Sequence, residues 1–348
     1  MTQRTLAGLV ALPLVVALIV IAWVVPLPYT IYSPGPTVNV LGEFDGKDIV
    51  QVEGHESYRD KGQLRMTTVS ETTREARLGL WTLLGAWMSD TEAVYPREVA
   101  YPDQGTVEDD REAGQVQMAS AQDAAIAAAL TKLGEDVDEV SVAAVSEDAP
   151  AAGRLKAEDV VTKVGDKAVD TPEEVVAEVQ KVEPGDTIEL TVERKGKTRT
   201  ESIKTGEKEG KAFIGVSLGA TYDFPYDVKI TLDPAIGGPS AGLMMALSVY
   251  DTLTEGPLTG EKKIAGTGTI DGSGNVGPIG GIQQKIPGAA SDGAKLFLVP
   301  AGNCQDVEGA ENGDMRLTRV ENLDDAIKAI ETWTEDPNAK LPTCGSTK

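Results

Sequence analysis

Residues 233–250 read DPAIGGPSAGLMMALSVY, and residues 264–294 read IAGTGTIDGSGNVGPIGGIQQKIPGAASDGA. In the first stretch, Gly237-Gly238-Pro239 forces a turn and an apolar helix is predicted from Ser240 onward. A serine at a helix amino terminus lies beside backbone N–H groups that lack intrahelical acceptors, and such groups stabilise an oxyanion. The backbone amides of Gly238 and Ser240 are the candidate donors. In the second stretch, Lys285 follows Gly280-Gly281 and Ile282 and falls in the first turns of a predicted helix.

Gly238-Pro239-Ser240-Ala241-Gly242 also matches G-x-S-x-G, the nucleophile elbow of α/β-hydrolases, whose triad runs in the order Ser, acid, His. No histidine follows Ser240. The single histidine, His55, lies upstream in the polar stretch GHESYRD, so the hydrolase reading fails. A serine without histidine needs another base, and a neutral lysine can serve. The S-x-x-K pattern of penicillin-binding enzymes is absent from the chain, which leaves Lys204-Thr205-Gly206 an isolated KTG. Lys285, 45 residues after Ser240, is the remaining candidate base.

Composition narrows the rest. The 348 residues correspond to roughly two domains, and 41% hydrophobic content allows a packed core. Asp plus Glu number 55 against 32 Lys plus Arg, a net charge of -23, which repels phosphate backbones and excludes nucleic acid as a partner. One histidine and two cysteines cannot assemble a structural zinc site, and no cofactor or metal is expected. Gly272 to Gly277 matches G-x-G-x-x-G, yet Pro278 follows instead of a helix, so it reads as a glycine-rich hairpin. Gly206 to Ala212 has neither the spacing nor the Ser or Thr of a phosphate loop.

Leu6 to Val25 are twenty consecutive uncharged, mostly apolar residues, enough for a helix of about 30 Å. No charge occurs between Arg4 and Glu43, so the positive-inside rule predicts an uncleaved anchor in the cytoplasmic membrane. The amino terminus would lie in the cytoplasm and the remainder outside. There, Cys304 and Cys344 are expected to pair.

Beyond a Pro/Gly-rich hinge at Ser33 to Pro36, residues 62–69 read as a strand and 78–88 as a short apolar helix. Residues 103–115 read as an acidic loop, and Ala119 to Leu133 as a helix. From about 134 to 206 the pattern is self-contained. Its marks are DAPAAGRLKAEDVVTKVGDKAV, a helix opened by Thr171-Pro172-Glu173-Glu174, and PGDTIELTVERKG. This unit resembles a bacterial PDZ domain. The resemblance implies binding of an extended peptide at a sheet edge, with the terminal carboxylate held near Leu133-Gly134.

The segment around Ser240 and Lys285 resembles the proteolytic domain of Lon-type peptidases, in particular a membrane-anchored, PDZ-containing subgroup. Gly238-Pro239-Ser240-Ala241-Gly242 matches the nucleophile motif, and Pro278 to Lys285 the motif bearing the lysine; YSPGPTVNVLG after the anchor extends the likeness. The resemblance implies that Ser240 attacks the peptide carbonyl, that Lys285 is the base, and that Thr267 hydrogen-bonds the lysine. It implies an α/β (α+β) fold, with a Lon-type domain in two segments, 37–130 and 207–335, around a PDZ insertion at 131–206. An anchor at 6–25 would precede it and a tail at 336–348 would follow. It also implies protein or peptide substrates and a homo-oligomer, a hexamer by analogy. Three departures stand out: Gly237 replaces a common acidic residue, Pro287 interrupts the helix of Lys285, and the chain shows no ATPase pattern. The expected activity is ATP-independent endopeptidase; the rival expectation is a PDZ adaptor on a latent or self-processing scaffold.

Overall fold

The apolar N-terminal run is helical from Gln3 to Val24 (α1). The computed structural model describes residues 3–59, 61–102 and 105–345, with α1 side chains from Leu9 onward. The large apolar side chains from Leu9 to Val25 are exposed. Among the described residues no helix is long and apolar enough to cross a membrane. The anchor expected at 6–25 is thus without support among the described residues.

The chain divides into two compact units, residues 1–129 with 228–348, and residues 130–227. Ahead of the second unit come β1 (Tyr29–Asn39), β2 (Gln63–Glu71), α2 (Leu80–Trp87), β3 (Ala93–Pro96) and α3 (Val107–Leu133). The second unit contributes β4 (Asp138–Val145), β5 (Val160–Val164), α4 (Pro172–Val179), β6 (Thr187–Glu193), β7 (Thr198–Lys204) and β8 (Val216–Tyr222). The first unit then resumes with α5 (Gly242–Leu253), β9 (Lys263–Gly266), α6 (Ile282–Ser291), β10 (Leu296–Pro300), β11 (Arg316–Val320) and α7 (Leu323–Glu335).

In the first unit one mixed sheet runs in the order β11-β10-β9-β2-β1-β3. β9 is parallel to both β10 and β2, whereas β1 is antiparallel to β2 and β3. The β2–β9 pairing ends at Met66 opposite Gly266, while β2 runs on to Glu71. The segment Thr67 to Glu71 therefore borders open space on that side, and the cleft described below forms there. α5 is apolar from Gly242 to Leu247 and is buried from Gly242 through Val249.

The acidic stretch 103–115 is mostly helix. Residues 103 and 104 lie outside the described residues, and α3 begins at Val107. The Thr106 hydroxyl accepts from the Asp109 N–H at 3.2 Å, and the Asp109 carboxylate accepts from the Thr106 N–H at 2.7 Å. This reciprocal cap, with Glu108, Asp109 and Asp110 against the positive end of the helix dipole, turns acidic residues into a start signal.

The second unit is an antiparallel sheet in the order β7-β6-β5-β4-β8, closed over a core that includes Val140, Leu155, Val175, Leu190 and Ile203. β8 pairs with β4 from Val216 opposite Val145 to Tyr222 opposite Asp138. The compact unit that contains this pairing runs to Asp227. Residues 336–345 run beside β11, with the Pro342 carbonyl accepting from the Arg319 N–H at 3.0 Å and from the Thr318 hydroxyl at 2.9 Å. Cys304 and Cys344 are disulfide-bonded.

Candidate active site

Gly238 adopts a left-handed backbone (φ +89°), and the turn it makes delivers Ser240 just ahead of α5. The Ser240 carbonyl accepts from the Gly268 N–H at 2.9 Å and from the Thr267 hydroxyl at 3.0 Å. These bonds fasten the serine turn to the segment leaving β9. Lys285 lies one turn into α6, whose N-cap is Gly281 at φ +69°. A Cβ at Gly281 would meet Val69 of β2 at 2.7 Å, so both conformation and close approach require glycine there.

These elements bring three predicted residues together. Lys285 Nζ is 2.7 Å from Ser240 Oγ and 2.9 Å from Thr267 Oγ1. Lys285 is 2% exposed and Thr267 1%. Burial lowers the Lys285 ammonium from its ordinary value to about 8, because the apolar surroundings disfavour its charge. A lysine so placed can be neutral near physiological pH, and a neutral amine can take the proton of a serine hydroxyl.

Ser240 and Lys285 open onto a cleft of about 710 Å³. Val38, Phe44, Ile49, Met66, Leu232 and Ile236 give it an apolar lining, and Glu43, Glu71 and Asp233 add carboxylates. His55 is exposed, is absent from this lining, and meets the Glu56 carbonyl through Nδ1 at 2.8 Å. Among the described residues no group of His, Cys, Asp or Glu could hold a metal ion.

One expected donor is already engaged. The Gly238 N–H donates to the Gly114 carbonyl of α3 at 2.8 Å, so it cannot also bond an oxyanion in this state. Sequence inspection could not find this contact, because 124 residues separate its partners. Asn303 was missed too. It is 2% exposed; its side-chain oxygen accepts from the Ile279 N–H at 2.9 Å and its nitrogen donates to the Ile279 carbonyl at 2.8 Å. A polar residue next to Cys304 was its only sequence signal.

The pair expected beside a bound peptide carboxylate, Leu133-Gly134, forms a helix end. Leu133 ends α3 and Gly134, at φ +93°, follows with its N–H donating to the Thr131 carbonyl, which makes this pair a helix stop. A groove of about 380 Å³ lies instead between α4 and the chain entering β8, lined by Val175, Val176, Val179, Phe213, Ile214 and Val216. Neither Leu133 nor Gly134 lines it.

Comparison with known proteins agrees with this geometry. Residues 233–332 match the Lon protease (S16) C-terminal proteolytic domain. Residues 113–205 match a PDZ domain. The chain thus carries a Lon-type proteolytic domain and a PDZ domain, and Ser240, Thr267 and Lys285 all fall within the Lon-type match. Lon protease 2 of Herpetosiphon aurantiacus is 40% identical over 93 residues, 26% of this chain and 11% of that protein. Lon protease of Solibacter usitatus is 32% identical over 139 residues, 36% of this chain and 17% of that protein. The Lon-type likeness therefore spans less than a fifth of either relative. The PDZ domain of an SdrC-like protein from Listeria monocytogenes is 29% identical, with a TM-score of 0.23 over 24% of this chain and 90% of that one.

Proposed function

We propose that the chain is a serine endopeptidase with a Ser/Lys dyad that works without ATP on unfolded or flexible protein segments. The observation that carries this reading is the 2.7 Å approach of buried Lys285 Nζ to Ser240 Oγ. Ser240 Oγ attacks the substrate carbonyl while neutral Lys285 accepts its proton, and the protonated lysine then returns that proton to the leaving amine. Thr267 orients the amine. The Ser240 N–H, at the head of α5, is the remaining backbone donor of the original pair.

In the same reading, residues 6–25 anchor the chain in the cytoplasmic membrane with the amino terminus inside, and substrates lie outside. The exposed apolar surface of α1 supports this. The PDZ domain selects or gates substrates by adding an extended peptide along β8, an edge strand of its sheet. Assembly as a homo-oligomer, a hexamer by analogy, belongs to the proposal as well. A latent resting state is favoured by one specific observation, the engaged Gly238 N–H.

The test uses the full chain in detergent micelles with unfolded casein, alongside Ser240→Ala and Lys285→Ala, with and without ATP. Cleavage by the parent chain alone, indifferent to ATP, is expected. Equal inertness of all three, persisting after a peptide ligand is offered to the PDZ domain, would count against the dyad.

A further inference from the structure

Helix α2 has no polar side. Residues 78–88, LGLWTLLGAWM, contain no charged residue. Leu83 and Ala86 are buried in a small cluster with Ile31, against which Leu27, Leu78 and Val94 pack. The opposite arc is apolar as well, yet open: Trp81 is 53% exposed, Leu84 37%, Trp87 75% and Met88 77%. At 3.6 residues per turn these four side chains fall within an arc of about 120°. A helix that is hydrophobic all round belongs in a core or in a membrane, and half of this one is in neither. Single exposed apolar residues are ordinary; a contiguous patch marks an interaction site.

The position of the patch indicates what covers it. The Leu27 N–H donates to the Leu78 carbonyl at 2.9 Å, and the Trp23 carbonyl lies 3.6 Å from where a Cβ on Gly79 would sit. The head of α2 is therefore held at the C-terminal end of α1, whose large apolar side chains are exposed from Leu9 to Val25. The two apolar surfaces adjoin. Three of the four tryptophans, Trp23, Trp81 and Trp87, lie in this one region and are exposed, whereas Trp333 is buried. Tryptophan favours the membrane–water interface, where the ring rests among acyl chains and its N–H meets headgroups.

We propose that the outer arc of α2 is a second membrane contact, an interfacial helix lying in the headgroup region beside α1. This rests on the anchoring proposed for residues 6–25. The occupant is the lipid surface itself, with Trp81, Leu84, Trp87 and Met88 inserted among the upper acyl carbons. Such a contact fixes the first unit against the bilayer at two points instead of leaving it to swivel on Pro26-Leu27-Pro28. The substrates within reach are then segments close to the membrane.

The test is lipid quenching of single-tryptophan forms of the full chain in phosphatidylcholine/phosphatidylglycerol vesicles. Three forms retain Trp81, Trp23 or Trp333 alone, the other tryptophans being replaced by phenylalanine. The quencher is lipid brominated high on its acyl chains. Trp81 and Trp23 emission should fall by at least about twofold, and Trp333 emission should not change. Quenching of Trp23 without Trp81 overturns the α2 contact and leaves the anchor standing. Quenching of neither removes the anchoring reading and this inference with it. An unquenched Trp81 that becomes shielded only as protein concentration rises identifies a second copy of the chain as the cover and likewise overturns the lipid assignment.

Discussion

Gly238, two residues before the nucleophile candidate, donates its N–H to the carbonyl of Gly114 on α3 at 2.8 Å. The approach is tight because both partners are glycine-lined: a Cβ on Gly237 would lie 3.1 Å from Gly114 backbone atoms. One oxyanion donor is typically worth about 10²–10³ in rate, so its engagement matters to activity. Gly114→Leu places bulk against the Gly237–Gly238 turn and pushes α3 away. We expect the rate of Ser240 modification by a fluorophosphonate to rise about tenfold, a fraction of that donor's worth. An unchanged or slower rate would mean that α3 supports the serine turn and does not block it.

The lysine makes two pH predictions. With Lys285 as the proposed base, activity needs its neutral form, so kcat/KM should climb as pH rises through about 8. Stability follows from the same shift. Above the ordinary lysine value neither folded nor unfolded chain is protonated there, and burial costs nothing. As pH falls from about 10.5 to about 8, the unfolded chain takes up a proton that the folded chain refuses, and stability drops. Below about 8 the penalty is constant, on the order of 3 kcal/mol. Lys285→Met should therefore unfold at higher denaturant than the parent at pH 7, with the gap closing toward pH 10.5. A gap that does not depend on pH would contradict the lowered value.

Thr267 links Lys285 to the turn that carries Ser240, accepting from Lys285 Nζ and donating to the Ser240 carbonyl. Thr267→Val keeps the shape and deletes both bonds. A lost acceptor weakens the cation more than the neutral amine, so the acidic limb of the pH profile should move below its parent position. The rate at the optimum should fall about 10- to 100-fold through loss of orientation. An unmoved limb would leave Thr267 a packing role only.

The approach of Lys285 to Ser240 was legible because its signals are local. Gly238-Pro239-Ser240 and Gly280-Gly281 declare their turns, and the lack of any histidine after Ser240 removes the main competitor for the base. The α3 start was also written in the sequence, as Thr106 and Asp109 three residues apart, but the run of acids disguised it as a loop. What stayed hidden depends on distant pairing. Nothing near 216–222 announces that β8 pairs with β4, and without that edge the expectation at Leu133-Gly134 follows only from its place before the first strand of the unit. Gly114 and Asn303 act through backbone atoms of remote residues, which no residue type reveals.

Asn303 offers the sharpest separation of a positioning role from a structural one. Its side chain satisfies both backbone groups of Ile279, while its nitrogen also meets the Asp306 carboxylate at 3.0 Å. Ile279 stands two residues before Gly281, the N-cap of α6, and Lys285 lies on the first turn beyond. The clamp therefore sets where the helix begins and, through it, where Nζ sits relative to Ser240. Cys304, the next residue, is tied by its disulfide to the strap beside β11, so the clamp is itself held from behind. Asn303→Leu keeps the volume but strands two partly buried backbone groups of Ile279, each at up to about 1–3 kcal/mol. If the clamp positions the base, kcat should drop at least about tenfold with KM little changed, since a displaced catalytic group costs rate and leaves binding intact. Reduction of the disulfide should lower kcat in the same sense and by less. A lower melting temperature with kcat intact in the fraction still folded would make Asn303 a structural residue and free Lys285 from dependence on it.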